Sequence, residues 1–191
     1  MKNTIQLNKP IVFVVDMTNG FVKEGALSDP AIAQIVPDIK RLIQRYDNLF
    51  ICDAHTKDAR EFQAYPAHCL KGSSESQVIS ELEKFAKDVI EKNSTNTFMA
   101  PAFQKRLDAL LETYRDLVIT GCCTDLCVLQ FALSLQSYLN QKDDHDHRVV
   151  VFEPCVDTYD VPQIHEKAFW NEWALANMEA NGICVVKQVE E

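Results

Sequence analysis

The chain has 191 residues, 47% hydrophobic and 25% charged, with a formal net charge of −9 and seven cysteines. That length is most simply one domain spanning 1–191, with a core large enough to need no disulfide or structural metal. The acidic balance, without any Lys/Arg run, excludes a phosphate-backbone partner. Residues 11–15 are too short to span a membrane, and no apolar secretory leader precedes them, so an odd number of cysteines fits reduced thiols in a cytoplasm.

In chain order, the first strand is predicted over 11–15, a continuous apolar run that ends at Asp16. Residues 32–42 put Ile32, Ile35, Ile39 and Leu42 on one helical face, with Pro37 marking a late start or a kink. A second strand over 48–52 runs into Asp53 and His55, and a polar loop then carries Tyr65-Pro66-Ala67-His68-Cys69. Residues 78–85 read as a helix and 88–90 as a third strand followed by Lys92, with a further helix over 102–111. The fourth strand, 117–120, meets a turn at Gly121, and Thr124 caps a largely apolar helix over 124–139. The Asp143–His147 tract could ligate a metal but reads better as a solvated loop, before a strand over 148–152, a helix over 162–180 and a last strand over 182–186.

Strand alternating with helix, the strands rich in Val, Ile and Phe, predicts an α/β fold: a three-layer αβα sandwich around a six-stranded, mainly parallel sheet. Ligands of such sheets bind beyond the carboxyl ends of the strands. Asp16, Asp53, His55, Lys92 and the Gly121 turn all fall at that edge.

Three cysteines lie in Gly121-Cys122-Cys123-Thr124-Asp125-Leu126-Cys127. With Thr124 as cap, Cys127 sits in the first helical turn, where the dipole and free N–H groups favour a thiolate and could hold an oxyanion. A structural zinc site lacks two further ligands and a redox C-x-x-C is absent, while Cys122 and Cys123 suit a tight turn as small thiols. No histidine stands at an obvious place to serve Cys127, since His165 falls early in the last helix, so Asp16 is the candidate base and Lys92 the candidate charge partner. A strand-end cap and a solvated lysine are the alternative readings of those two.

Asp53, His55 and His68 form a second set. Asp, His and His with open positions suit Zn, with Fe or Mn admissible, though three such residues could equally be unrelated surface groups.

The segments IVFVVDMTNGF, VIEKNSTNTF and VITGCCTDLCV, in that order, resemble the three catalytic blocks of the isochorismatase-like cysteine hydrolases, and the nicotinamidase/pyrazinamidase branch most closely. The resemblance implies Asp16, Lys92 and Cys127 as catalytic residues and a cis peptide joining Cys122 to Cys123. It also implies an oxyanion hole from the N–H groups of Cys123 and Cys127. DAH followed by PAHCLKGS resembles the branch's metal signature, which implies Asp53, His55 and His68 as ligands. Glu61 stands where some members have a fourth, a solvated loop carboxylate being the alternative. Phe21 and Tyr65 would wall an aromatic substrate pocket.

The family block D-x-Q-N-D-F reads Asp16-Met17-Thr18-Asn19-Gly20-Phe21 here, so Thr18 and Gly20 replace a Gln and an Asp. The resemblance implies hydrolysis of nicotinamide to nicotinate and ammonia, in a homo-oligomer. The altered block leaves open another small amide or an N-carbamoyl or ureide substrate. A non-catalytic ligand-binding member and isochorismate-type vinyl ether hydrolysis are the remaining rivals.

Overall fold

The structure, a computed structural model, describes residues 2–189. Its strands are β1 (Lys2–Ile5), β2 (Pro10–Val15), β3 (Asp47–Asp53), β4 (Val89–Lys92), β5 (Asp116–Cys122), β6 (Arg148–Asp157) and β7 (Cys184–Val189). They form one sheet in the order β1-β7-β6-β5-β2-β3-β4, and every pairing is parallel. The sheet therefore has seven strands rather than six. The additional strand, β1, adds to the edge beside β7, where no continuous apolar run is required and the sequence gives no strand signal.

Helices cover both faces. Along β2, Ile11, Phe13 and Val15 face one apolar cluster and Val12 and Val14 the other, as period-two alternation demands. α1 (Val36–Ile43) follows a 3-10 turn at Pro30–Ile35 and packs on the second face. Pro37 falls in its first turn, so the late-start reading of that proline holds. α2 (Leu107–Thr113), α3 (Leu129–Gln141) and α4 (Lys167–Ala180) contribute to the first face. There Phe13 meets Phe103 and Phe131 edge-on, with centroids 5.8 and 5.4 Å away, fixing α3 against β2.

Three helix expectations are corrected. Residues 78–85 form turns, because Val78 bridges to Thr18 and the Ile79 N–H donates to the Met17 carbonyl, leaving only a 3-10 turn at Glu83–Phe85. The 102–111 helix is two pieces, Pro101–Gln104 and Leu107–Thr113. The last helix begins at Lys167 rather than 162, since Val161 and His165 exchange two backbone hydrogen bonds that close the preceding turn.

Gly121 is not in a turn after the strand but within β5, at φ 108°. A Cβ there would lie 1.9 Å from the Val15 carbonyl oxygen, so only glycine lets β5 and β2 approach at their carboxyl ends. Among the described residues no helix is long and apolar enough to cross a membrane.

Candidate active site

The carboxyl ends of β2, β3, β4 and β5 converge on one buried cluster. Asp16 follows β2 with φ 52°, an uncommon conformation for a residue with a side chain. It is held there by three contacts: its N–H donates to the Ile51 carbonyl at 2.8 Å, its Oδ1 accepts from the Asp53 N–H at 2.9 Å, and the Cys122 thiol donates to its carbonyl at 3.1 Å.

Lys92, the last residue of β4, is 2% exposed and reaches Asp16 Oδ2 at 2.8 Å, Asp53 Oδ1 at 2.5 Å and Cys127 Sγ at 3.8 Å. Burial opposes its charge, but the two carboxylates outweigh burial and keep it protonated. Burial, reinforced by Asp53 and opposed by Lys92, pushes the Asp16 carboxyl up to about 6. Burial would raise Asp53 as well, yet the Lys92 charge holds it well below the usual carboxylate range. The two acids are thus driven apart, the pattern of a proton-exchanging group beside a permanently ionised one.

Cys127 Sγ, Asp16 and Asp53 offer ligand atoms within 4.8 Å of one another, which places the thiol beside the Asp16 carboxylate. Burial pushes the Cys127 thiol well above its ordinary value, with Lys92 the opposing influence. The expectation that the helix end favours a thiolate is corrected: desolvation wins, and the resting group is a thiol beside a carboxylate. The capping scheme is corrected too. Cys123 occupies the N-cap, Thr124 is the first residue of a wide turn at Thr124–Val128, and its buried hydroxyl makes no hydrogen bond. In that turn Val128 N–H reaches the Cys123 carbonyl five residues back, a widening often found at functional sites. The Cys122–Cys123 peptide is cis.

The second set lies in the long connection after β3. His55 N–H bonds the Cys69 carbonyl and Lys71 N–H the His55 carbonyl, folding His68 back beside His55. Asp53 Oδ2 is then 3.5 Å from His55 Nε2 and 3.8 Å from His68 Nε2. His55 Nδ1 faces Asn93 Oδ1 at 3.2 Å, and that oxygen also accepts from the Thr56 N–H, so Nδ1 carries the proton. His68 Nδ1 faces the Pro66 carbonyl at 2.8 Å and must donate to it. Both Nε2 atoms therefore face the Asp53 carboxylate, and the buried His55 Nε2 has no hydrogen-bond partner. Two bare imidazole nitrogens and an ionised carboxylate fit a divalent cation. Glu61 is 3.7 Å from His55 Nε2 through Oε2, while its Oε1 accepts from the N–H and hydroxyl of Thr95.

Phe21 and Tyr65 lie edge-on to His68, with centroids 5.6 and 6.4 Å away, and Phe62 packs likewise on both histidines. The residues expected to serve as catalytic, metal-holding and pocket groups are thus gathered here, whereas the Asp143–His147 tract lies before the start of β6, with His147 Nδ1 facing Asp144 Oδ2 at 2.7 Å. Phe62 was missed, and so were Asn93 and Thr95, for which the polar run directly after the Lys92 strand end was the available signal. Asp125 was missed as well. It accepts from Thr158 Oγ1 at 2.6 Å and faces His165 Nε2 at 2.8 Å. His165 precedes α4 rather than opening it, and is committed to this carboxylate instead of Cys127. Gly20 has a steric reason to be glycine: its Cβ would lie 3.1 Å from Glu75 and closer still to the Cys69 sulfur. The Cys69 thiol and Glu75 fill the place of a side chain there, and Thr18 Oγ1 faces Cys69 Sγ at 3.8 Å.

Residues 10–183 match the family model of the isochorismatase domain. Nicotinamidase 1 of Arabidopsis thaliana is 25% identical, over 92% of this chain and 84% of its own length. The nicotinamidase PncA of Bacillus subtilis superposes with a TM-score of 0.76 at 25% identity, covering 94% of this chain and all of that one, 100%. The pyrazinamidase of Pyrococcus horikoshii, solved in complex with zinc, shares the fold at a TM-score of 0.75 and 22% identity, over 94% and 99% of the two chains.

Proposed function

The chain belongs to the isochorismatase domain family, and we propose that within it the protein is a metal-assisted cysteine amidohydrolase acting on a small primary carboxamide, nicotinamide foremost. The observation that carries this reading is the junction of two clusters through Asp53. One of its oxygens pairs with Lys92, and the other faces two bare imidazole nitrogens. A nucleophile-and-base unit and a cation-type site thus share one buried wall. The names of the Arabidopsis and Bacillus relatives agree with it.

In this reading Cys127 attacks the carboxamide carbon while Asp16 takes the thiol proton, a role suited to a carboxyl pushed up to about 6. Lys92 keeps the charge of the cluster balanced as that proton moves. The N–H groups of Cys123 and Cys127 receive the developing oxyanion. Asp16 returns the proton to the departing ammonia, then removes one from the water that cleaves the thioester. Asp53, His55 and His68, with Glu61 as a fourth group, would hold zinc, or iron or manganese, which when bound supplies a Lewis acid for a ring nitrogen. Phe21 and Tyr65 sandwich the ring and exclude water.

The test is ammonia release from nicotinamide by zinc-loaded protein, with and without chelator, alongside Cys127→Ala. Full activity in that variant, or no ammonia from nicotinamide, would overturn the proposal. Release from ureides in preference to nicotinamide would favour the second reading, for which the Thr18 and Gly20 departures speak.

A further inference from the structure

A cavity of about 380 Å3 opens on the same site from the Cys123 side. Its inner wall is Phe21, Tyr65 and Leu126, and its outer walls are residues 26–30 and 159–161. Cavities of roughly 300–1,000 Å3 are the scale of drug-sized ligands, and a pyridine carboxamide seated against Phe21 and Tyr65 occupies only the inner part of this one.

The outer walls are built rather than loose. Asp29 Oδ1 accepts from the Ala31 N–H at 2.9 Å and Oδ2 from the Asp160 N–H at 3.1 Å, stapling the two segments together. The Asp29 N–H donates to the Phe21 carbonyl at 2.9 Å, tying the staple to the inner wall. Tyr159 stacks on His165 with centroids 3.8 Å apart, and His165 is itself fixed by Asp125.

The lining is apolar through Leu27, Pro30 and Val161, and its charged members are acids, Asp29 and Asp160. Among the described residues no lysine or arginine lines it. The Lys92 charge nearby is already shared between Asp16 and Asp53. An anionic group in this space would meet carboxylates and no counter-ion. Consistent with that, burial first and then Asp125 push the Tyr159 phenol above its ordinary value.

We propose that the outer cavity is a substrate subsite, and that the acyl group this chain prefers is an uncharged or cationic aromatic carboxamide bearing an apolar substituent. Carboxylated amides and N-carbamoyl amino acids are then poor substrates. The proposal rests on the amidohydrolase reading for the chemistry, but its recognition half can be measured without turnover.

The experiment is calorimetric titration of zinc-loaded Cys127→Ala with nicotinamide, with nicotinamides carrying a butyl group at each ring carbon in turn, and with carboxylate-tipped analogues of the same length. Each buried methylene is worth roughly four-fold in affinity, so at least one butyl isomer should bind ten-fold or more tighter than nicotinamide. Its carboxylate-tipped analogue should lose that gain. Ala26→Trp, a substitution at an exposed position on the cavity wall, should reduce the butyl preference several-fold.

Equal or weaker binding of every butyl isomer, equal binding of the carboxylate, or a preference unmoved by Ala26→Trp would overturn the subsite. Butyl preference together with no ammonia from any amide in the wild-type protein would support the subsite and overturn the hydrolase reading instead.

Discussion

At the scale of single residues, Lys92 carries more than any other side chain: two carboxylates and a thiol meet its ammonium in a space closed to water. Removing one member of a buried ionic cluster strands the others, at about 3–5 kcal/mol. Lys92→Ala should therefore lower the unfolding free energy by that amount in urea denaturation. A loss no larger than that of a surface pair, about 1 kcal/mol or less, would contradict the burial argument. Asn93 works at one remove. It fixes the proton on His55 Nδ1 and so presents Nε2 as a bare donor. Asn93→Ala is expected to weaken zinc binding about ten- to a hundred-fold in a competitive chelator titration, the usual effect of losing such a partner.

The three clustered cysteines also separate at this scale. Cys127 faces the carboxylate and the ammonium, whereas the Cys122 thiol holds the Asp16 carbonyl. Cys122→Ala should reduce turnover more than it raises KM, and Cys122→Ser should restore turnover because a hydroxyl donates the same bond. Equal turnover in the two variants would remove Cys122 from the support of Asp16.

At the scale of elements, the strand-to-helix passage from β5 to α3 sets the position of Cys127. Gly121 sets the approach of β5 to β2, and the wide turn at Thr124–Val128 then swings Cys127 under Lys92. The sequence pattern located this passage but assigned the cap to Thr124, because Thr is a common N-cap and the hydroxyl's surroundings are tertiary. With that hydroxyl unpartnered, Thr124→Val should change stability by less than about 0.5 kcal/mol. A cost of about 1 kcal/mol, the price of a lost cap, would restore the capping scheme. Gly121→Ala should fail to fold, since the clash is with backbone and cannot be relieved by a side-chain rotation. Soluble Gly121→Ala with native circular dichroism would show that β5 and β2 can separate.

The same element scale explains which helices were legible. The pattern in 36–43 and 129–141 belongs to helices laid along the sheet, so period and burial agree. Residues 78–85 have the spacing without the partner. Val78 and Ile79 are bonded to the β2-proximal residues Thr18 and Met17, a contact over some 60 positions that no local pattern contains.

At the scale of the whole molecule, parallel strands place every carboxyl end on one side, which is why the strand-end residues named from the sequence meet in one cluster. Asp16, Asp53, Lys92 and the β5 end needed only the fold class to be brought together. Asp125, Thr158 and His165 were illegible because their meeting depends on how β6, α4 and the cysteine turn pack. β1 was illegible because an edge strand carries little apolar signal. The metal-type residues join β3 to its long following loop, so an ion that binds the folded chain and not the unfolded one should stabilise the whole. Added zinc at about a hundred times its dissociation constant should raise stability by about 2.7 kcal/mol, seen as a higher Tm. Asp53→Asn should abolish that shift, and a zinc-independent Tm in the wild type would speak against the site.

The stack that stiffens the cavity wall continues outward. Tyr159 lies on His165, and Trp170 lies on the other side of that imidazole at 5.1 Å, with Trp173 edge-on to it at 5.8 Å. These are both of the chain's tryptophans. The protein's entire indole emission thus originates beside one wall of the cavity, separated from an occupant by two stacked rings. Native fluorescence is in consequence a built-in optical gauge of that wall, readable in the unlabelled protein while a ligand is added.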